Sequence, residues 1–456
     1  MANWLEKAYW NAFTLWHSRG EARFPYRPEE DLLAVQSKRV RAIISHAYGT
    51  VPFYREAMDR LGLKPADFAG AGDLARLPLV TGRDLAESPE RFLSSSFLKK
   101  KTLELTTTGT VGLFKGIHHD PAGLFMALAA GGRQRAVLAR FTGRRLGYRE
   151  VAVVREGSTG PVIREFYESH SWVPKSLDVR RRVASPAESY GSNLEVINSF
   201  EPEVIIGFGS YIGGIFRHAR ESDRSMHRPA VVLYGGDLLH QPDRRLIEDE
   251  FGIPVLSSYQ ACESLRIAFQ CERREGFHVS LDQAAVRVVD REGKTLGPGA
   301  PGEIVLSNLV NRATVLLNYR MGDVAAWSGA PCPCGRTLPT LERMEGRTED
   351  LILRPDGETV HQSVTLPLLY GVPGVLQVQV RQESLREIVM SVVCKDGADY
   401  QETRAGLIKA LSSTMGEAGG LDIAVERVSA IPHGEGGKFR AVISNCAGRS
   451  PDGERG

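Results

Sequence analysis

Three groups of residues in this chain have the types and spacing to do chemistry. The stretch "LTTTGTVGLFKG", Leu105 to Gly116, gathers threonines and glycines ahead of Lys115. Backbone N–H groups of such a loop can form an anion-binding nest, and threonine hydroxyls add donors for phosphate oxygens. The Gly-Lys-Ser/Thr ending of a P-loop is missing, and a plain hairpin loop has the same composition. Cys271, His278, Cys332 and Cys334 offer three sulfurs and one imidazole nitrogen. That set closes a tetrahedral structural Zn²⁺ site and leaves no position open for catalysis, the alternative being a Cys-Pro-Cys turn with free thiols. Lys438, in "GEGGKFR", puts a flexible cation on a glycine-rich loop near the C-terminus, where a solvated charge is the ordinary reading.

Further motifs lie between these groups in a fixed order: "YGGD" (Tyr234–Asp237), "SSYQACE" (Ser257–Glu263), "NYRMGD" (Asn318–Asp323) and "EGRTEDLI" (Glu345–Ile352). With the threonine loop, the Lys438 loop and "HAYGTVPFYREAMDRLGL" near the start, this order resembles the adenylate-forming superfamily. The resemblance is to its branch around phenylacetate-coenzyme A ligase and the capsule-cluster adenylating proteins, and it covers nearly the whole chain. It implies a carboxylate-activating enzyme using ATP and Mg²⁺. Thr107, Thr108, Gly109, Thr110 and Lys115 would hold the β- and γ-phosphates, although Val111 and Phe114 stand where the family has a hydroxyl residue and proline. Gly235, Gly236 and Asp237 match the turn beside adenine, Tyr259 the aromatic residue stacked on it, and Glu263 the Mg²⁺ carboxylate. Asp323 matches the acid on the ribose hydroxyls, Arg347 lies in the next motif, and Asp350 matches the hinge of a mobile small domain. Lys438 matches the catalytic lysine between substrate carboxylate and α-phosphate. The stretch "IIGFGSYIGG" imitates a dinucleotide fingerprint, but its third glycine is displaced and it comes late in the chain. In the resembled branch this region lines the acyl pocket, which nominates Phe208 and Tyr211, with Tyr234 beside them.

By the same resemblance the acyl acceptor is coenzyme A and the acid an aryl or arylacetic acid. The stretch "RPDGETVHQSV" keeps open an amine, hydroxyl or carrier-protein acceptor, and Val111 with Phe114 keeps open a non-catalytic binding protein of the same fold.

These residues need a scaffold, and composition bounds it. A chain of 456 residues, 42% hydrophobic and 25% charged with net charge +2, has the balance of a globular protein of two or three domains. The charge is too mild for a nucleic-acid footprint. "MANWLEKAYWNAF" lacks an apolar signal core, and no run of about 18 apolar residues follows, so a cytoplasmic protein without membrane contact is expected. A homodimer is allowed. Apolar residues at helical spacing predict helices over the first hundred residues. From about residue 102, short β-rich runs ("REVAVVRE", "PEVIIGFG", "AVVLYGG", "IPVLSSY") alternate with helical segments at 186–200, 210–222 and 242–251, the pattern of an α/β layer with a mostly parallel sheet. The expected domains are 1–349, a large adenylating domain with a helical cap and layered, mostly parallel sheets; 350–445, a small mobile α+β domain; and a disordered tail, 446–456.

Overall fold

Continuous apolar strands must be covered on both faces, and that requirement organises the larger part of this fold. The computed structural model describes residues 3–108, 114–172, 179–347, 351–356, 358–395, 397–415, 420–431 and 440–446. The chain divides into two compact units, one of residues 1–321 with 325–343, the other of residues 344–456 with 322–324.

The first unit opens with helices α1 (Trp4–Ser18), α2 (Glu29–Thr50), α3 (Pro52–Arg60) and α4 (Gly82–Glu87), then a hairpin of β1 (Leu103–Thr108) and β2 (Phe114–His119). There follow α5 (Pro121–Ala130), α6 (Gly132–Thr142), β3 (Arg149–Val153), α7 (Thr159–His170), β4 (Arg180–Ala184), α8 (Tyr190–Phe200), β5 (Val204–Gly207), α9 (Gly209–Glu221), β6 (Val231–Gly235) and α10 (Gln241–Arg245). The strands β7 (Val255–Ala261), β8 (Ser264–Phe269), β9 (Phe277–Val279), β10 (Ala284–Val289), β11 (Gly302–Asn308), β12 (Tyr319–Trp327) and β13 (Thr340–Arg347) complete the large sheet.

That sheet has eleven strands in the order β10-β11-β12-β13-β9-β8-β7-β6-β5-β3-β4. The run from β7 to β4 is parallel, as the alternating pattern predicts, and β8 and β9 join it antiparallel. Parallel pairing needs a crossover, which α8 and α9 supply. Their apolar faces and the strands form one core, including Val151, Ile205, Ile215, Phe216, Val232 and Val255. A second core joins α2 and α3 to Leu316, Leu317 and Tyr319. The α5–α6 pair, α7, β4, β8 and β9 are elements the sequence patterns above do not single out.

The second unit carries a hairpin of β14 (Leu351–Leu353) and β15 (Thr359–His361), helix α11 (Gln362–Tyr370), strands β16 (Val375–Gln382) and β17 (Glu387–Cys394), helix α12 (Tyr400–Met415), β18 (Asp422–Arg427) and β19 (Val442–Ser444). Its four-stranded sheet runs β18-β17-β16-β19 over a core of Leu369, Val378, Met390, Leu407 and Leu411. The layered α/β architecture with a small α+β unit is the expected fold class. Among the described residues no helix is long and apolar enough to cross a membrane.

Candidate functional site

A lysine, a tyrosine and a glutamate far apart in sequence meet on one phenol. Lys115 Nζ lies 3.1 Å from the Tyr319 hydroxyl, and that hydroxyl donates to Glu263 Oε1 at 3.4 Å. Local structure puts each residue there. Lys115 is on β2, whose hairpin with β1 pairs Thr107 with Lys115 and Thr108 with Phe114. Glu263 occupies the tight turn between β7 and β8. Tyr319 opens β12, is 1% exposed, and forms a parallel bridge with Val80. The Val80 bridge leads into α4, where Gly82 lies against the lysine: a Cβ there would be 2.4 Å from Lys115 Nζ.

An asparagine-rich loop fixes the backbone around Glu263. Asn308 Nδ2 donates to the Glu263 carbonyl at 2.9 Å, while its Oδ1 accepts the N–H groups of Val310 and Asn311. Asn311 Oδ1 accepts from the N–H of Asp120, and Asp120 accepts from Gly123 N–H at 3.0 Å as N-cap of α5. His119 Nε2 is 2.8 Å from the Cys262 carbonyl, so this nitrogen carries the proton. Burial pushes His119 down to about 4 and keeps the ring neutral. The β2–α5 junction and the Cys262–Glu263 turn are thereby tied together.

The remaining sequence candidates distribute as follows. Gly235 ends β6 and Gly236 follows it. A Cβ at Gly235 would come 2.9 Å from the Ser258 carbonyl oxygen, and Gly236 has φ +84°, so both positions demand glycine. The Asp237 carboxylate is turned to α9: it accepts Gly209 N–H at 2.5 Å and the Ser210 hydroxyl. This carboxylate fills the helix N-terminus that a dinucleotide phosphate would need. The glycines of "IIGFGSYIGG" serve packing, since a Cβ at Gly213 or Gly214 would run into Asp243 or Tyr190. Tyr259 is buried on β7, and Asp323 is half-buried on β12. Phe208 packs beside Gly236, and Tyr234 is buried at the end of β6. Tyr211 is a core residue, 3% exposed, whose hydroxyl donates to the Glu188 carbonyl at 2.5 Å and accepts from Asn193 at 2.8 Å. Thr107 and Thr108 lie on β1 and Arg347 ends β13. Gly109, Thr110, Asp350 and Lys438 lie outside the described residues.

The sulfur–imidazole set comes together in the first unit. Single ligand atoms of Cys271, His278, Cys332 and Cys334 all lie within 4.8 Å of one another. Cys271 Sγ is 3.7 Å from Cys332 Sγ, and Cys334 Sγ is 3.4 Å from His278 Nε2. A tetrahedron with zinc bond lengths has S···S edges of about 3.8 Å and S···N edges of about 3.6 Å, so the residues fit the ion. A disulfide needs about 2.05 Å, and none forms. His278 Nδ1 is 3.2 Å from the Leu338 carbonyl, the outer hydrogen bond that turns Nε2 toward a metal. Arg336 pairs with Glu272 at 2.9 Å and lies over Tyr26, while Thr337 N–H donates to the Pro25 carbonyl at 2.8 Å. The cysteine loop thus clasps the segment between α1 and α2.

Comparison with known proteins finds relatives along most of the chain. Residues 352–445 match the CapK C-terminal domain family. The chain is 25% identical over 444 residues to a phenylacetate-coenzyme A ligase of Thermus thermophilus, covering 91% of this chain and 97% of that one. The chain is thus similar to phenylacetate-coenzyme A ligases over most of its length, and to the CapK C-terminal domain family over its last part. A second relative, the phenylacetate-coenzyme A ligase of Aromatoleum evansii, is 23% identical over 71% of this chain and 72% of its own. The fold is shared with the crystal structure of a 2-hydroxyisobutyryl-CoA ligase in the postadenylation state, at TM-score 0.75 and 20% identity over 93% of this chain and 91% of that one.

Sequence patterns alone do not single out Tyr319, Gly82, His119 or Asn308. Tyr319 stands inside "NYRMGD", and its position next to a motif acid was the available signal. His119 and Asn308 act on backbone carbonyls and Gly82 through its closeness to the Lys115 ammonium, contacts that only the fold reveals.

Proposed function

We propose that this protein activates a carboxylic acid with ATP, forming an acyl-adenylate and pyrophosphate, and then transfers the acyl group to coenzyme A. The meeting of Lys115, Tyr319 and Glu263 carries the reading: a cation from the threonine-loop hairpin and a buried carboxylate from the adenylate motif share one phenol. A carboxylate is a poor electrophile because direct attack would expel oxide; transfer of AMP installs a good leaving group. In-line displacement at the α-phosphorus depends on positioning and on neutralising charge. Lys115 and the backbone and hydroxyls of Thr107, Thr108, Gly109 and Thr110 hold the departing pyrophosphate. Gly235, Gly236, Asp237 and Tyr259 border the adenine, Asp323 takes the ribose hydroxyls, and Lys438 meets the charge that develops at the reacting oxygens. Glu263 is the oxygen ligand for Mg²⁺, which when bound neutralises phosphate charge. Phe208 and Tyr234 belong to the wall of the acid site, whereas Tyr211 is held in the core by Asn193 and Glu188; Arg347 and Asp350 belong to the joint preceding the small domain, 350–445. Zinc on Cys271, His278, Cys332 and Cys334 is structural. We place the protein in the cytoplasm.

The names of the relatives support an arylacetic acid and coenzyme A. The CapK match over 352–445 supports a second reading, in which an amine, hydroxyl or carrier protein accepts the acyl group. Incubation with ATP and phenylacetate, with and without coenzyme A, tests both by following AMP and thioester. Thioester formation with AMP release only when coenzyme A is present is expected. AMP release without thioester, stimulated by another nucleophile, replaces the first reading by the second.

A further inference from the structure

The start of α6 carries more positive charge than its surroundings answer. The sequence Arg133-Gln134-Arg135 leaves the helix in three directions, because each residue advances by 1/3.6 of a turn. Arg133 is fully compensated: it binds Asp282 through two nitrogens, at 2.6 and 2.9 Å, and Glu21 at 2.7 Å. Arg135 has no such partner, and its Nη2 donates only to the Leu128 carbonyl at 3.3 Å. Arg266 reaches the same place from β8 and donates at 3.5 Å to Gln134 Oε1.

These groups converge. A Cβ placed on Gly131 would stand 3.2 Å from Arg135 Nη1 and 3.2 Å from Arg266 Nη2, so the two nitrogens lie within twice that distance of each other. Among the described residues neither arginine has an ion pair, and the nearby Glu21 is already bound by Arg133. Gln134 is 8% exposed, and its buried Nε2 has no acceptor. Burial lowers the pKa of both arginines, and the like charge of Arg135 lowers that of Arg266 further. Two converging guanidinium groups and a buried amide N–H call for an acceptor with several lone pairs in a plane or fork, which is the chemistry of carboxylate and phosphate.

We propose that Gln134, Arg135 and Arg266 form a seat for an oxyanion of the carboxylate or phosphate class. Arg266 is three residues past Glu263 on a strand, hence within about 10 Å of it along the chain. A cavity between α5 and β8 is lined by Arg266 together with Ser264, His119 and Asn308, the last two being the residues that hold the Cys262–Glu263 turn. The seat is therefore placed to take the second acidic group of a dianionic acid, or a free anion that steadies β8. The first of these sources rests on the acid-activating reading proposed above; the second does not.

The test has two arms. Thermal unfolding of the full chain is measured in inorganic phosphate and in sodium chloride of equal ionic strength. ATP–pyrophosphate exchange is measured with monocarboxylic and dicarboxylic acids of equal chain length. A phosphate-specific rise in Tm of about 2 °C, or a preference for the diacid of about tenfold in kcat/KM, supports the seat; the first identifies a free anion, the second the substrate's own group. Arg266→Met and, separately, Arg135→Met should abolish that response. Each should melt no lower than wild type in anion-poor buffer, since a half-buried cation without a counter-charge has been removed. If exchange occurs with no acid, the enzymatic reading fails while the phosphate arm still decides the seat. The seat is overturned if wild type shows neither response, or if Arg266→Met melts several degrees lower and keeps the response.

Discussion

Replacing Gly82 by alanine should separate activity from stability. The new Cβ would lie 2.4 Å from Lys115 Nζ and 3.0 Å from its Cε. Unstrained contacts to carbon begin at about 3.5 Å, so the ammonium must retreat by about 1 Å. It now stands 3.1 Å from the Tyr319 hydroxyl, near the outer limit of a hydrogen bond, and the retreat breaks that link. A misplacement of about 1 Å in a site that works by positioning costs up to about 10²-fold in rate, about 2.7 kcal/mol in the barrier. The fold does not share this cost. Gly82 is the first residue of α4, after the N-cap Thr81, and alanine is the better helix former by about 1 kcal/mol. The displaced group is the free end of a lysine. Kinetics of ATP–pyrophosphate exchange give kcat/KM for ATP, and a thermal melt gives stability. The expected result is a loss of 10- to 100-fold, about 1.4 to 2.7 kcal/mol, with Tm unchanged or higher. Exchange at the wild-type rate would refute the placement of Lys115 beside the phosphates.

Three further outcomes are expected. Protein purified without chelator should contain about one zinc per chain, and Cys334→Ser should lose it; chelation should then expose Arg19, Arg23 and Arg27 to trypsin, because the cysteine loop holds the adjoining segment through Thr337 and Arg336. Metal-free protein with unchanged proteolysis contradicts that clasp. The buried neutral His119 has its folded pKa lowered from 6.5 to about 4, so its contribution is fully present above pH 6.5 and is lost as pH falls toward 4; urea unfolding should show about 2 kcal/mol less stability from this group at pH 5 than at pH 7, with His240 acting in the same direction. A flat profile would count against both buried rings. Lys438→Ala should lower acyl-adenylate formation by several orders of magnitude while thioester formation from supplied acyl-adenylate falls much less; equal losses would remove the assignment of Lys438 to the first half-reaction.

What could be read from the residues, and what could not, follows from the range of the interactions. The parallel strands were legible because burial on both faces makes them continuous apolar runs, as in "EVAVV" and "VVLYG". The sulfur–imidazole set was legible because chemistry restricts ligand types, even though four strands, β9 to β12, lie between Cys271 and Cys334 in the sequence. The α5–α6 pair escaped because "GLFMALAA" is apolar all round and shows no amphipathic period, being buried on most sides. Tyr319 escaped because its role depends on a parallel bridge to Val80, a contact across more than half the chain. Asp237 illustrates the converse: its motif points to the nucleotide, while its side chain holds the N-terminus of α9.

The most direct test of acid activation is exchange of labelled pyrophosphate into ATP by the wild-type chain across a panel of arylacetic, aryl, aliphatic and dicarboxylic acids. Adenylation predicts exchange that requires an acid and Mg²⁺, needs no coenzyme A, and falls by at least about 10²-fold in Glu263→Gln, where the metal carboxylate is gone. Exchange that no acid supports, or that proceeds equally without one, would contradict it.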